Sequence, residues 1–161
     1  MEESAFFPVS DMILRKAEKN EICLLAEISK VAFHSDELIG MDANDGPPGY
    51  DSAAWHTAMY EKGCLYTYLD EQGIPVGGAV LFEKDDKVII GRIFISPLYH
   101  RQGYGHRLME DIEKFFPEAA VFELDTPLNN IRTNALYQKL GYEESGRTDD
   151  TVSYVRRRDI F

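Results

Sequence analysis

Two rhythms of apolar residues alternate along the chain. Ile22, Leu25, Ala26, Ser29, Ala32 and Phe33 recur at three- and four-residue spacing, which predicts an amphipathic helix from a cap at Asn20 to about residue 33. A first strand is read at "MILRKA" (12–17) before it, and a short helix at "SAAWHTAMYEK" (52–62) after it. The intervening "DANDGPPGYD" (42–51) is too rich in Pro, Gly, Asn and Asp to be regular. The pattern then shortens to strands. "CLYTYLD" (64–70), "IPVGGAVLFEK" (74–84) and "VIIGRIFISP" (88–97) are joined by the turn signals "EQG" and "DDK".

Helical spacing returns over 103–116, where Leu108, Ile112, Phe115 and Phe116 share one face and Pro117 ends it. "AVFELDTP" (120–127) reads as a strand. "NNIRTNALYQKLG" (129–141) reads as a helix with Asn at its start and Gly141 just past its end. "YEESGR" and "TVSYVRRR" close the chain as a hairpin. The expected architecture is one α/β domain over residues 1–161, with a central antiparallel meander. The strand–helix–strand unit 88–127 should form a right-handed parallel crossover.

Composition changes this picture little. With 161 residues, 44% apolar and 28% charged, the chain is long enough for a proper core. No stretch approaches the ~20 apolar residues of a membrane span. "MEESAFFPVSD" lacks a secretory core, and Cys23 and Cys64 form no metal or disulfide pattern. They read as reduced core thiols of a cytoplasmic protein. The net charge of −11 argues against nucleic acid as a partner, the small "RRR" run (156–158) excepted. No HExxH or Cys/His cluster suggests a metal.

The chemistry concentrates at "HRQGYGHRLME" (100–110), where a strand hands over to a helix. Gly103 and Gly105 let backbone approach a ligand closely. The helix start presents N–H groups and the positive end of its dipole, with Arg101, His106 and Arg107 around it. Such a junction suits a phosphate or pyrophosphate, although it is neither a dinucleotide fingerprint nor a P-loop.

Together with "NNIRTNALYQKLGYEESG" downstream, this junction resembles the GNAT superfamily of N-acetyltransferases. Gly103 and Gly105 match that family's glycine motif. Asn130, Leu136, Tyr137, Gly141 and Tyr142 match its later helix motif, and "IFISPLY" is similar to its fourth strand. His100 stands where Gln or Arg is usual, and Thr133 replaces a small Ala.

The resemblance implies a mixed, largely antiparallel sheet of about seven strands with helices on both faces, its fourth and fifth strands parallel and splayed. It implies acetyl-CoA as cosubstrate and direct attack of a primary amine on the thioester in a ternary complex. Ile93, Phe94 and Ile95 would pair with the pantetheine arm. Arg101, Gln102, Gly103, Tyr104, Gly105 and His106 would hold the pyrophosphate, and Asn130 would bond the pantetheine region. A strand N–H near Phe94 or Ile95 would stabilise the oxyanion. Tyr137 would be the general acid for the thiolate and Asp125 the base, acting through water, because the fourth strand carries no carboxylate.

The acceptor is expected to be a small-molecule or peptide amine. From Val31 to Tyr60 the chain has no Lys or Arg, but it has Asp36, Glu37, Asp42, Asp45 and Asp51 interleaved with His34, Tyr50, Trp55 and His56. That wall would suit a cationic amine through ion pairing and cation–π contact. A non-catalytic acyl-CoA-binding sensor is the alternative reading. Exposed strand edges allow a homodimer.

Overall fold

The computed structural model of the protein describes residues 12–34, 48–99 and 102–159. In chain order the elements are β1 (Ile13–Lys16), a 3₁₀ turn (Lys19–Glu21), α1 (Ile22–His34), α2 (Ala53–Glu61), β2 (Leu65–Leu69), β3 (Pro75–Lys84) and β4 (Lys87–Ile95). A second 3₁₀ turn (Pro97–Tyr99) leads to α3 (Tyr104–Phe115), β5 (Val121–Pro127), α4 (Ile131–Lys139), β6 (Glu143–Arg147) and β7 (Thr151–Arg157). The seven strands form one sheet in the order β1-β2-β3-β4-β5-β7-β6. All neighbours are antiparallel except β4 and β5. The expected fold class therefore holds.

A bulge decides which β4 residues face which layer. Val80 pairs with Arg92 but Leu81 pairs with Ile90, so Gly91 is the extra residue. A side chain there would strike the Phe82 ring, with the nearest atom 2.7 Å from a Cβ. The inserted residue shifts the alternation. Val88 and Ile90 before it, and Ile93 and Ile95 after it, all meet the core that includes Leu108, Met109 and Ile112 of α3. Phe94 joins the other core, with Leu25 of α1 and Met59 of α2. Arg92, two residues from Phe94, stands on that second face.

Several local expectations shift. Asn20 does not cap α1. It sits exposed inside the 3₁₀ turn, where the Glu21 carboxylate accepts the Glu18 N–H (2.9 Å). Glu21 also takes two bonds from Arg15 (2.9 and 2.8 Å) and one from the Thr67 hydroxyl (2.8 Å). The Arg15 bonds lead in holding its carboxyl down at about 2. Cys23 is exposed rather than a core thiol. Phe115 is 40% exposed, at the edge of the buried face of Leu108, Ile112 and Phe116.

Two arginines of the "RRR" run, Arg156 and Arg158, are bound into the fold, while Arg157 is exposed. Arg156 pairs with Glu113 (2.9 Å). Arg158 donates to the carbonyls of Glu113 (2.8 Å), Ala119 (2.7 Å) and Phe116, closing the C-terminal end of α3. Among the described residues, no helix is long and apolar enough to cross a membrane.

Candidate active site

β4 and β5 pair only where Lys87–Ile89 meets Val121–Glu123. Beyond that point β5 stays with β7 to Pro127 while β4 continues beside β3 to Ile95. The two parallel strands therefore part, leaving the 90–95 edge of β4 without β5. The Ser96 N–H donates to the Val76 carbonyl (2.8 Å). By alternation, the Phe94 peptide groups turn toward β3 and those of Ile93 and Ile95 toward the gap.

α3 begins at the end of that gap. Its N-cap is Gly103, in the left-handed region at φ 78, which has no side chain of its own to close the helix start. The first intrahelical bond runs from Arg107 N–H to the Gly103 carbonyl (3.0 Å), so the first-turn N–H groups before it point out of the helix end. Gln102 and Gly103 are exposed; Tyr104, Gly105 and His106 are half-buried. A Cβ on Gly105 would meet only the Leu136 side chain of α4, at 3.8 Å. His106 leans back to Glu110 (3.2 Å), and Arg107 lies over the Tyr104 ring. His100 and Arg101 lie outside the described residues.

On the other side of the gap, Asn130 is buried and its side-chain oxygen accepts the Thr133 N–H (3.1 Å), which caps α4. Thr133, where the family usually has Ala, bonds the Thr126 hydroxyl of β5 (2.6 Å) and so ties α4 to that strand. Asn134 is a further anchor that sequence reasoning missed. It donates to the Pro127 and Asn130 carbonyls (3.0 and 2.7 Å) and accepts from the Tyr154 hydroxyl (2.6 Å).

Tyr137 packs between Tyr142 and Tyr154, with centroids 6.1 and 5.8 Å away. Its hydroxyl bonds to none of the described residues. Burial first, and nearby Tyr154 second, hold it above the usual phenol value, so it stays protonated. Asp125 is exposed on β5, on the sheet face opposite Leu124 and Thr126. Its neighbour on that face, Glu123, pairs with Lys87 (3.3 Å).

The aromatic wall is partly as expected. Tyr50 is buried with its hydroxyl 2.7 Å from His34 Nε2. Trp55 and His56 lie edge to face, 5.0 Å apart. A cation already covers Trp55, however: the Arg92 guanidinium carbon is 4.2 Å from its ring centroid. Asp36, Glu37, Asp42 and Asp45 lie outside the described residues. A solvent-open depression of about 330 Å³ at the far end of α3, which Glu113, Arg156 and Arg158 help line, is distant from the gap.

Residues 31–142 match the family model of the acetyltransferase (GNAT) family. The chain belongs to the GNAT acetyltransferases. Solved GNAT structures share the fold. An acetyltransferase of Streptococcus agalactiae aligns with TM-score 0.79 at 18% identity, over 92% of this chain and 96% of its own. The PaiA N-acetyltransferase of Thermoplasma acidophilum, solved with coenzyme A, aligns with TM-score 0.72 at 14% identity, over 92% and 99%. Spermidine N-acetyltransferase of Vibrio cholerae, solved with CoA and spermine, gives 0.69 at 13%, over 91% and 95%. No curated protein matches this GNAT chain in sequence. Acetyl-CoA is the cosubstrate of the GNAT family, and a parted β4 edge beside an uncapped helix start fits an extended, diphosphate-bearing thioester.

Proposed function

We propose that the protein is an N-acetyltransferase in which a primary amine attacks acetyl-CoA directly within a ternary complex. The observation that carries this reading is the uncapped α3 start at the end of the β4–β5 gap. Acetyl-CoA supplies an activated acyl thioester. The Ile93–Ile95 edge of β4 pairs with the pantetheine arm. The α3 start, with Gln102, Gly103, Tyr104, Gly105, His106 and Arg101 of the same loop, binds the diphosphate.

The acceptor nitrogen bonds to the carbonyl carbon as the C–S bond breaks. Its surplus proton leaves through water to Asp125, and the sulfur takes a proton. The gap-facing peptide groups around the Phe94–Ile95 step receive the carbonyl oxygen, with the alternation favouring Ile95. Tyr137, protonated at neutral pH, is the general acid that gives the sulfur this proton and regains one from water. Asn130 acts on the site by fixing the start of α4.

Calorimetric binding of acetyl-CoA, followed by thiol release over a panel of amines, tests the reading. Binding with turnover supports it. The β4 edge has no carboxylate, which favours a second reading as a non-catalytic acyl-CoA sensor; binding without turnover for any amine would select that one.

A further inference from the structure

Arg92 is a half-buried cation with no counter-charge among the described residues. Nη1 donates to the Pro48 carbonyl (2.9 Å), and the guanidinium lies over Trp55. A guanidinium has five N–H donors. Among the described residues, no carboxylate reaches it within ion-pair distance. Loss of water pushes it down to about 10.

The groups around it add no negative charge. His56 Nδ1 donates to the Ser52 carbonyl (2.7 Å), and its Nε2 is buried without a partner. Burial first, and the charge of Arg92 last, hold His56 down and neutral. Phe94 lies edge-on to His56 at 6.1 Å. In a chain of net charge −11, a half-buried arginine with no described carboxylate beside it is a local positive spot that suits an anion.

Its position matters equally. Arg92 immediately precedes the gap-facing Ile93, and it shares the α1/α2 face of the sheet with Asp125 of β5. With the Trp55 ring already under a cation, a second cation there would meet like charge rather than an empty aromatic face.

We propose that Arg92 determines acceptor specificity by binding the carboxylate of a small amine that bears both groups, an amino acid or a close analogue. The inference rests on the acetyltransferase reading and narrows its acceptor class. The fork of guanidinium N–H groups suits a carboxylate, and holding that end orients the amino nitrogen along the sheet face toward the gap.

The test has two arms, both on the full chain with CoA or acetyl-CoA present. Trp55 is the only tryptophan, so its fluorescence reports occupancy at Arg92 without turnover. Titration with each common amino acid and its carboxamide should give a saturable change for at least one acid and none for the matching amide. Arg92→Gln should abolish that change while acetyl-CoA affinity and melting temperature hold. In the kinetic arm, the preferred acid should exceed its amide in kcat/KM by about 100-fold or more, and Arg92→Gln should erase the gap through KM.

Arg92→Lys should recover the response in part, since it restores charge but not the fork. Equal responses to acid and amide, no response to any acid, or an undiminished response in Arg92→Gln would overturn the proposal. Failure of acetyl-CoA to bind would instead sink the underlying acetyltransferase reading.

Discussion

The starts of α1 and α4 on one hand, and of α3 on the other, are built on opposite plans. At the approach to α1, Glu21 accepts the Glu18 N–H; at α4, Asn130 accepts the Thr133 N–H. α2 follows the same plan, with Ser52 accepting from Trp55 N (3.0 Å). Each places an oxygen of the chain on donors that a helix leaves without partners. At α3 the corresponding residue is Gly103, which has no side-chain oxygen to offer and holds a backbone shape that suits glycine. The same helix is fixed firmly at its other end by Arg158. The difference teaches that the missing cap is local to the junction where β4 and β5 part, the place proposed above for the diphosphate.

The strongest way to break this comparison is to give α3 an acid of its own. Gly105→Asp faces only Leu136 and adds a favourable charge to the first turn, so melting temperature should hold or rise. Acetyl-CoA affinity should fall by about 100-fold or more, because like charges about 4 Å apart repel by about 4 kcal/mol at intermediate dielectric. Calorimetry beside a thermal melt separates the two effects.

Tyr137→Phe sharpens the account of the gap itself. We expect kcat to fall by about 100-fold with acetyl-CoA affinity unchanged, read by steady-state kinetics and calorimetry. Because burial raises this phenol, it stays neutral, and the wild-type rate should show no alkaline decline from it below about pH 10.

The closed ends should respond in stability rather than in binding. Glu21→Gln should lower unfolding free energy at neutral pH by about 2 kcal/mol. Glu21 has a folded value of about 2, below its unfolded value of about 4.3. Its contribution is therefore full above pH ~4.3 and lost as pH falls through about 2. Denaturant melts across that window should show the difference between wild type and variant closing. Asn130→Ala should cost about 1 kcal/mol, whereas Asn130→Asp keeps a capping oxygen and should melt like wild type.

Much of this plan was legible in the sequence because it is local. Gly103 before the Leu108–Ile112 periodicity marks an uncapped helix start, and Asn130 and Gly141 bracket α4 at the expected offsets. Gly141 does sit at φ 90, against the Arg156 side chain. What escaped depends on contacts between distant segments. Asn20 has the residue type of a cap, but Arg15 and Thr67 draw Glu21 into that place. The extra residue at Gly91 shows only in the pairing with β3, and with it the shift that sends Arg92 to Trp55. The Val31–Tyr60 wall lacked cations in sequence and gains one from β4. The "RRR" run looked like a basic patch until its partners on α3 were visible.

The central claim is that the uncapped α3 start holds the diphosphate of acetyl-CoA. Its most direct test is a calorimetric comparison of acetyl-CoA with acetyl-pantetheine on the unaltered protein. The account predicts micromolar binding of acetyl-CoA and loss of most of that affinity when the nucleotide and its diphosphate are removed. Equal affinity for the two, or no binding of acetyl-CoA, would contradict it.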